Sequence, residues 1–438
     1  MAASQADPAA ARDFAAEVVF RLQKAGFTAF WAGGCVRDDL LGRTPVDYDV
    51  ATSARPDEVR EVFGRRRTLA VGAAFGVITV LGPRAAGQVE VATFRTDEAY
   101  TDGRHPAGVV FSTPEFDAQR RDFTINGLFL DPATGEVHDY VGGRADLTAG
   151  IVRAIGAPAM RFGEDHLRML RAVRFAAAFG FALDPATRDA IEAMRHLVTS
   201  VSTERIASEL RAMVTRPGRR RALELLDETG LAREVLPEVA PPAGQTPAAA
   251  ARWTEAAAII EALDEPELGT ALAALFEEPG SGQLIHAAGS GPLRQAVARL
   301  RLANRDIRLA AWLLEAVATL GHAAAGELTV RPWSQVQPWL AHDDAFLLAD
   351  LLRARADQGR GSKEAAAWVT AQLTRPREEL NPPPLLTGRD LMAAGVPEGK
   401  AVGAMLAALR AKQLDGEIAS REKAVAWVCG EGRPPGGP

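Results

Sequence analysis

The chain has 438 residues, 47 % of them hydrophobic and 24 % charged, with 50 Lys+Arg against 56 Asp+Glu and a formal net charge of −6. That length exceeds one compact core and predicts two to four domains, and the composition excludes a largely disordered, collagen-like or disulfide-stapled protein. Two cysteines, Cys35 and Cys429, make neither a disulfide framework nor a cysteine zinc site, and the acidic balance does not by itself advertise a nucleic-acid binder, for which local basic clusters decide.

Along the chain, MAASQADPAA carries no basic or apolar signal region, and no run of about 18 apolar residues is present to span a membrane, so a cytoplasmic protein is expected. Residues 17–25 show helical spacing. Residues 27–31 are short, apolar and aromatic and end at Gly33-Gly34, which reads as strand then turn. Residues 47–50 form a second short strand, and Pro56 opens a helix through Val62. Residues 77–81 and 89–94 are β-rich runs around Gly82 and Pro83, a hairpin; 127–130 and 137–140 bracket a second. From about residue 160, Leu, Ala, Arg and Glu dominate, strands vanish and helical spacing takes over. Residues 241–249 read as a linker or exposed loop, the run to about 375 is helical, and Pro382-Pro383-Pro384 opens a last helical unit. No repeat of fixed period appears. The outline is an α/β head followed by an all-helical remainder.

The strongest local signal is Gly33-Gly34-Cys35-Val36-Arg37-Asp38, followed by Asp47-Tyr48-Asp49. Strand side chains alternate, so Asp47 and Asp49 project from one face. Two carboxylates that close repel each other unless a divalent cation lies between them, and Mg²⁺ takes such hard oxygen ligands together with phosphates. Gly33 and Gly34 bring backbone N–H groups close to a ligand, a helix starting there favours a phosphate, and Arg37 adds a fork of donors. A DxD strand or a Gly-Gly turn alone is common by chance; together on consecutive strands they point to phosphate chemistry. Arg120-Arg121-Asp122-Phe123-Thr124-Ile125-Asn126, if a strand, packs Phe123 and Ile125 inward and leaves Asp122, Thr124 and Asn126 on the other face. In the segment from Glu164 to Arg174, positions 165, 168, 171 and 174 fall along one helical face, beside Leu167, Leu170 and Val173. The bland alternative is an amphipathic helix whose charges only meet water.

Together these segments resemble the class II nucleotidyltransferase family, which contains CCA-adding enzymes and bacterial poly(A) polymerases. GGCVRD with DYD resembles its metal-binding motif, RRDFTIN its second motif, EDHLRMLRAVRF its nucleotide-selecting motif and TERIASEL (203–210) the neck motif that follows. The match covers about residues 20–235, and LLTGRDLMAAGV and QLDGEIASREKAVAWV at 384–428 resemble tail segments of tRNA nucleotidyltransferases. The resemblance implies an α+β fold: a polymerase-β-like head of mixed sheet and helices at 1–150, a helical neck at 151–235 for nucleotide selection, a helical body at 236–380 and a helical tail at 381–430 that contacts tRNA; the Pro- and Gly-rich end at 431–438 is expected to be disordered from its composition. It implies addition of CMP and AMP from CTP and ATP to the tRNA 3′ end without a template, with Mg²⁺, and no protein partner. By the same resemblance Asp47 and Asp49 hold the metal, and Gly33, Gly34 and Arg37 the triphosphate. Arg121 contacts the nucleotide, Asp122 buttresses it or the metal site, Asp165 and Arg168 read the base, and Arg171 and Arg174 contact phosphate or base.

Glu90, on a strand expected beside the DYD strand, would suit a third metal carboxylate; a solvated strand residue is the alternative. Residues 97–110 resemble the loop that enzymes adding only CC largely lack, which argues for terminal A addition. Residues 71–76 resemble the tRNA enzymes more than the poly(A) polymerases. An A-adding-only enzyme, a poly(A) polymerase and, in a different class, a noncatalytic RNA-binding protein stay open. His342-Asp343 is read as chance, not as a phosphohydrolase signature. The arginines of 216–221 and 294–308 are solvated faces or an RNA track, with RNA contacts expected at Arg104, Arg219, Arg220, Arg299 and Arg301.

Overall fold

The computed structural model describes residues 7–97, 109–242, 247–277 and 291–430. Arg104, most of the 97–110 loop and the expected disordered end at 431–438 lie outside the described residues. The chain divides into two compact units, 1–249 and 250–438.

In the first unit, Asp7 caps α1 (Pro8–Lys24) by accepting from the Ala9 N–H at 3.0 Å, and the helix buries Phe14, Val18, Val19 and Leu22. It covers a seven-stranded sheet made from β1 (Ala29–Ala32), β2 (Asp49–Thr52), β3 (Thr68–Gly72), β4 (Val77–Leu81), β5 (Gln88–Thr93), β8 (Leu128–Leu130) and β9 (Val137–Asp139), in the order β3-β4-β5-β2-β1-β8-β9. Only β2 and β5 pair in parallel; the other neighbours are antiparallel, so the sheet is mixed. Between β5 and β8 the short strands β6 (Arg95–Asp97) and β7 (Val109–Phe111) pair separately. The expected hairpin of 77–81 with 89–94 is β4–β5, and its alternating apolar residues fill the sheet interior. The helices α2 (Gly34–Leu40), α3 (Pro56–Phe63), α4 (Pro114–Gln119) and α5 (Gly143–Ala149) complete the head.

Three expectations need correction. The strand placed at 47–50 begins at Asp49, and Asp47 lies in the bend before it. The 120–126 segment is not a strand: Thr124–Asn126 is one 3₁₀ turn, and Asp122, Thr124 and Asn126 are buried like Phe123 and Ile125. Strands do not vanish after 160 either, since Ala182–Leu183 pairs in parallel with Ile151–Val152.

The unit continues in α6 (Pro158–Glu164), α7 (Arg168–Phe179), α8 (Pro185–Met194), α9 (Thr203–Thr215), α10 (Arg219–Glu228) and α11 (Leu231–Val235). α7 is apolar along Met169, Leu170, Val173 and Ala176, and it packs on α9 and α10, whose buried residues include Leu210, Met213, Leu223 and Leu226. The α9–α10 turn needs a glycine. Gly218 has φ +84°, and a Cβ there would stand 2.2 Å from the Ala177 carbonyl oxygen of α7.

Every regular element among the described residues of the second unit is a helix. Its Leu268–Phe276 helix is buried along its whole length, and Arg355, fully buried, pairs with Glu277. Leu386, Leu391, Met405, Leu409 and Val428 form a separate core near the C-terminal end. His342 stacks on Trp312 at 4.1 Å and Asp343 pairs with Arg377 at 2.7 Å, so the His-Asp pair is accounted for by packing. No described helix is long and apolar enough to cross a membrane.

Candidate active site

The parallel pairing of β2 and β5 sets Asp49 and Glu90 in register. In β5, Val89 and Val91 point to the core and Glu90 to the other face, where solvent reaches it, as it reaches Asp47 and Asp49. Among the described residues none of these three carboxylates forms an ion pair. Asp49 reaches solvent at its tip yet is set deep among protein atoms. That burial, then the charges of Asp47 and Glu90, push its carboxyl up to about 6, against a smaller opposing pull from Arg121. Hard oxygens under mutual repulsion are a donor set that a divalent cation would relieve, so Asp47 and Asp49 fit a metal. Glu90 adds to the field on Asp49, but no group of three or more His, Cys, Asp or Glu side chains stands in metal-ligand geometry among the described residues.

Beside the acids, Gly33 ends β1 with φ +73°, and a Cβ on it would lie 2.7 Å from Arg121 Nη1. A side chain there would therefore displace Arg121 as well as strain the turn. Arg121 is held by Asp117, which accepts from Nε at 3.2 Å and Nη2 at 3.0 Å, and Nη1 donates to the Asn126 carbonyl at 3.3 Å. This keeps a guanidinium next to Gly33 and within the field of Asp49.

Arg37, expected at a triphosphate, is buried at 8 % exposure, with much of its donor capacity spent on protein. Nε donates to Asp38 at 2.9 Å and Nη1 to Asn126 Oδ1 at 2.6 Å. Asn126 Nδ2 in turn donates to Asp122 at 3.0 Å. Asp122 receives Arg171 Nε at 2.9 Å and Nη2 at 2.6 Å, so it buttresses Arg171 rather than Arg121. Burial alone would raise the Asp122 carboxyl. The charge of Arg171, the hydrogen bonds from Asn126 and Arg171 and the charge of Arg168 outweigh it and hold it at about 2. Arg174 donates to Glu209 of α9 at 2.5 Å.

Asp165 does not share a helical face with the arginines. It caps the end of α6 in an extended conformation, φ −150°, and α7 starts at Arg168. Its carboxylate is gripped by Arg205 of α9, at 3.2 Å and 2.7 Å. Arg168 donates to Glu164 at 2.5 Å and to the Arg161 carbonyl at 3.2 Å. The two base-reading candidates are thus each fixed by an opposite charge, three residues apart. Arg205 and Glu164 were not singled out from sequence; the only signal was that TERIASEL and the Glu-Asp pair accompany the helix. His166 Nδ1 meets Ser200 Oγ at 2.7 Å, away from these groups.

Of the expected RNA contacts, Arg219 and Arg220 open α10, where Arg220 reaches Glu224 at 3.0 Å. Arg299 and Arg301 end the Pro292–Leu300 helix of the second unit, with Arg301 in the left-handed region at φ +47°.

Known proteins share this organisation. The family described as "Poly A polymerase head domain" matches residues 29–153, and "Probable RNA and SrmB- binding site of polymerase A" matches residues 180–241. The CCA-adding enzyme of Geobacillus stearothermophilus is 33 % identical over 423 residues, 95 % of this chain and 96 % of that enzyme. The crystal structure of the Bacillus stearothermophilus CCA-adding enzyme in complex with CTP superposes with a TM-score of 0.71 at 29 % identity, covering 94 % of this chain and 95 % of that one. The Thermotoga maritima CCA-adding enzyme complexed with tRNA is similar in fold, with a TM-score of 0.63 at 20 % identity over 98 % of this chain and 97 % of that one.

Proposed function

The chain belongs to the CCA-adding enzyme family, and we propose on that footing that it adds CMP and AMP, from CTP and ATP, to the 3′ end of tRNA without a nucleic-acid template. The observation that carries this reading is the 33 % identity, which runs nearly end to end through both chains. The site chemistry supports it.

Asp47 and Asp49 offer hard oxygens for a divalent cation, Mg²⁺ in this reading. When bound, the ion supplies Lewis acidity to the primer 3′-OH and to the transferring phosphoryl group. Gly33, having no side chain, lets Arg121 lie against its backbone, and Arg121, anchored on Asp117, sets a positive charge there for the triphosphate. Arg171, fixed by Asp122, presents a second. Asp165 and Arg168 read the base. Cytosine and adenine each carry an exocyclic amino donor beside a ring-nitrogen acceptor, which a carboxylate and a guanidinium satisfy in turn. Uracil and guanine reverse both groups, so neither side chain would make its hydrogen bond to the base and like would face like, at about 1–3 kcal/mol for each polar group left unsatisfied at the contact. Arg205 and Glu164 hold that pair in place.

Cys35 is buried with its thiol pushed up to about 12, mainly by burial, and Cys429 is also unpaired, as a reducing cytoplasm would keep them.

The test uses purified protein, Mg²⁺ and a tRNA transcript lacking its last three nucleotides, with CTP and ATP offered singly and together. Three added nucleotides and a stop at CCA are expected. Addition of A only to a transcript already ending in CC would make the protein an A-adding specialist. A long A tail from ATP alone would make it a poly(A) polymerase, and RNA binding with no addition would leave only a binding protein.

A further inference from the structure

The bend that carries Asp47 is thinly held. From Gly42 to Tyr48 only Pro45 and Tyr48 are buried, and Val46, the neighbour of Asp47, is 96 % exposed. Repulsion between Asp47 and Asp49 works to part them. An exposed bend under that force would sample many separations of the two carboxylates unless something fixes it from below.

Tyr48 is placed to do so. It is turned inward between the two exposed acids, and its ring meets that of Trp31 of β1 at 4.9 Å. Trp31 is itself fixed: it is buried, and its backbone pairs with Val50 of β2 on one side and Leu130 of β8 on the other. Arg12 of α1 closes the stack. Its guanidinium lies 5.1 Å from the centre of the Trp31 ring and beside the Tyr48 hydroxyl, and it donates to Asp39 of α2 at 2.5 Å. One exposed arginine thereby links the first helix, the helix that starts at Gly34 and the residue between the two acids. Paired with Asp39, it is no counter-charge for Asp47 or Asp49; what it contributes is the closure of the aromatic stack.

We propose that Tyr48, packed on Trp31 under Arg12, positions the metal carboxylates: it holds Asp47 and Asp49 at a fixed separation against their repulsion, so that a divalent cation meets a preformed pair. Tyr48 and Arg12 are positioning residues, and the inference rests on the reading that Asp47 and Asp49 hold that cation. Preorganised ligands bind a metal more tightly because less ordering remains to be done when it arrives.

The test reads metal binding directly, with Mn²⁺ as the probe, from the free Mn²⁺ signal in electron paramagnetic resonance of the nucleotide-free, full-length protein. The site is the binding that Asp47→Ala removes. Arg12→Ala, at an exposed position, and Tyr48→Leu, which keeps an apolar group in the interior, should each weaken that binding about tenfold, as loss of support outside the coordination sphere does. The Mg²⁺ concentration that half-saturates CTP addition should rise by a similar factor, while kcat at excess Mg²⁺ stays within about threefold. Arg12→Lys should restore part of the affinity, since it keeps the cation but not the planar guanidinium. If Tyr48→Leu does not fold, the two Arg12 variants decide alone. A lowered Tm with unchanged Mn²⁺ affinity would reduce the stack to core packing and overturn the proposal. If Asp47→Ala binds Mn²⁺ as the unmodified protein does, the metal assignment itself fails, a result distinct from unchanged affinity in the Arg12 and Tyr48 variants alone.

Discussion

Asp122 and Arg171 join the head to the helix that follows it: the guanidinium donates twice to one carboxylate oxygen, through Nε at 2.9 Å and Nη2 at 2.6 Å. Asn126 extends the link, donating to Asp122 and accepting from Arg37. Four side chains thereby tie α2, the 120–126 turn and α7 into one network behind the carboxylates. Removing Asp122 leaves Arg171 without its counter-charge. Asp122→Ala should therefore cost about 3–5 kcal/mol in urea unfolding followed by far-UV circular dichroism, as expected for breaking a buried pair.

The same pair sets a pH window. The folded Asp122 carboxyl sits at about 2, below its ordinary 3.8. A depressed carboxyl contributes stability that is complete above the unfolded value and is lost as pH falls through the folded one. Stability should decline between about pH 4 and pH 2, and Asp122→Asn should flatten that part of the pH–stability curve. An identical curve for the variant would show that the link does not operate through this carboxylate.

The parts of the fold that read correctly from sequence are those with local causes. The alternation of 77–81 and 89–94 specifies a hairpin because one face is apolar, and Gly33-Gly34 specifies a turn because of the backbone it requires. The 120–126 segment misled because its polar residues are as buried as its apolar ones; Asp122, Thr124 and Asn126 are satisfied by Arg171, Asp146 and Arg37, distant in sequence. Asp165 misled for a related reason. Threefold spacing marks a helical face only where the helix runs unbroken, and α6 ends at Glu164. Arg205 lies forty residues from its partner, a pairing no periodicity announces.

Asp47→Ala should lower nucleotide addition by about three orders of magnitude or more, since a metal clamp on the transferring group contributes several kcal/mol. Binding of the tRNA transcript, measured by filter retention at fixed salt, should stay near that of the unmodified protein. Addition at an ordinary rate would remove Asp47 from the metal site.

Base selection should depend on the partners as well as the readers. Asp165→Ala and Arg168→Ala should each reduce the preference for CTP over UTP, measured as the ratio of kcat/KM values, by about ten- to a hundredfold. Arg205→Ala should reduce the same ratio by less, because Asp165 stays in place but loses its grip, and Arg205→Lys should recover part of it. Discrimination that survives in all of these variants would sink the base-reading role of the 164–168 segment.

Gly33→Ala tests the turn itself. The backbone there, φ +73° and ψ −120°, lies in a region that residues other than glycine hardly populate, at about 1–3 kcal/mol, and the new methyl group would sit 2.7 Å from Arg121 Nη1. The cheaper adjustment is for the flexible arginine to swing away, since Asp117 and the Asn126 carbonyl hold only its side chain. The folded protein should therefore survive with a lowered Tm, while KM for both CTP and ATP rises by about tenfold, the loss of one charge-assisted contact. Arg121→Ala should raise those KM values similarly. If the double variant is no worse toward the nucleotides than either single one, the glycine acts by making room for the arginine. If the two losses multiply, Gly33 contributes on its own, by letting its backbone approach the triphosphate.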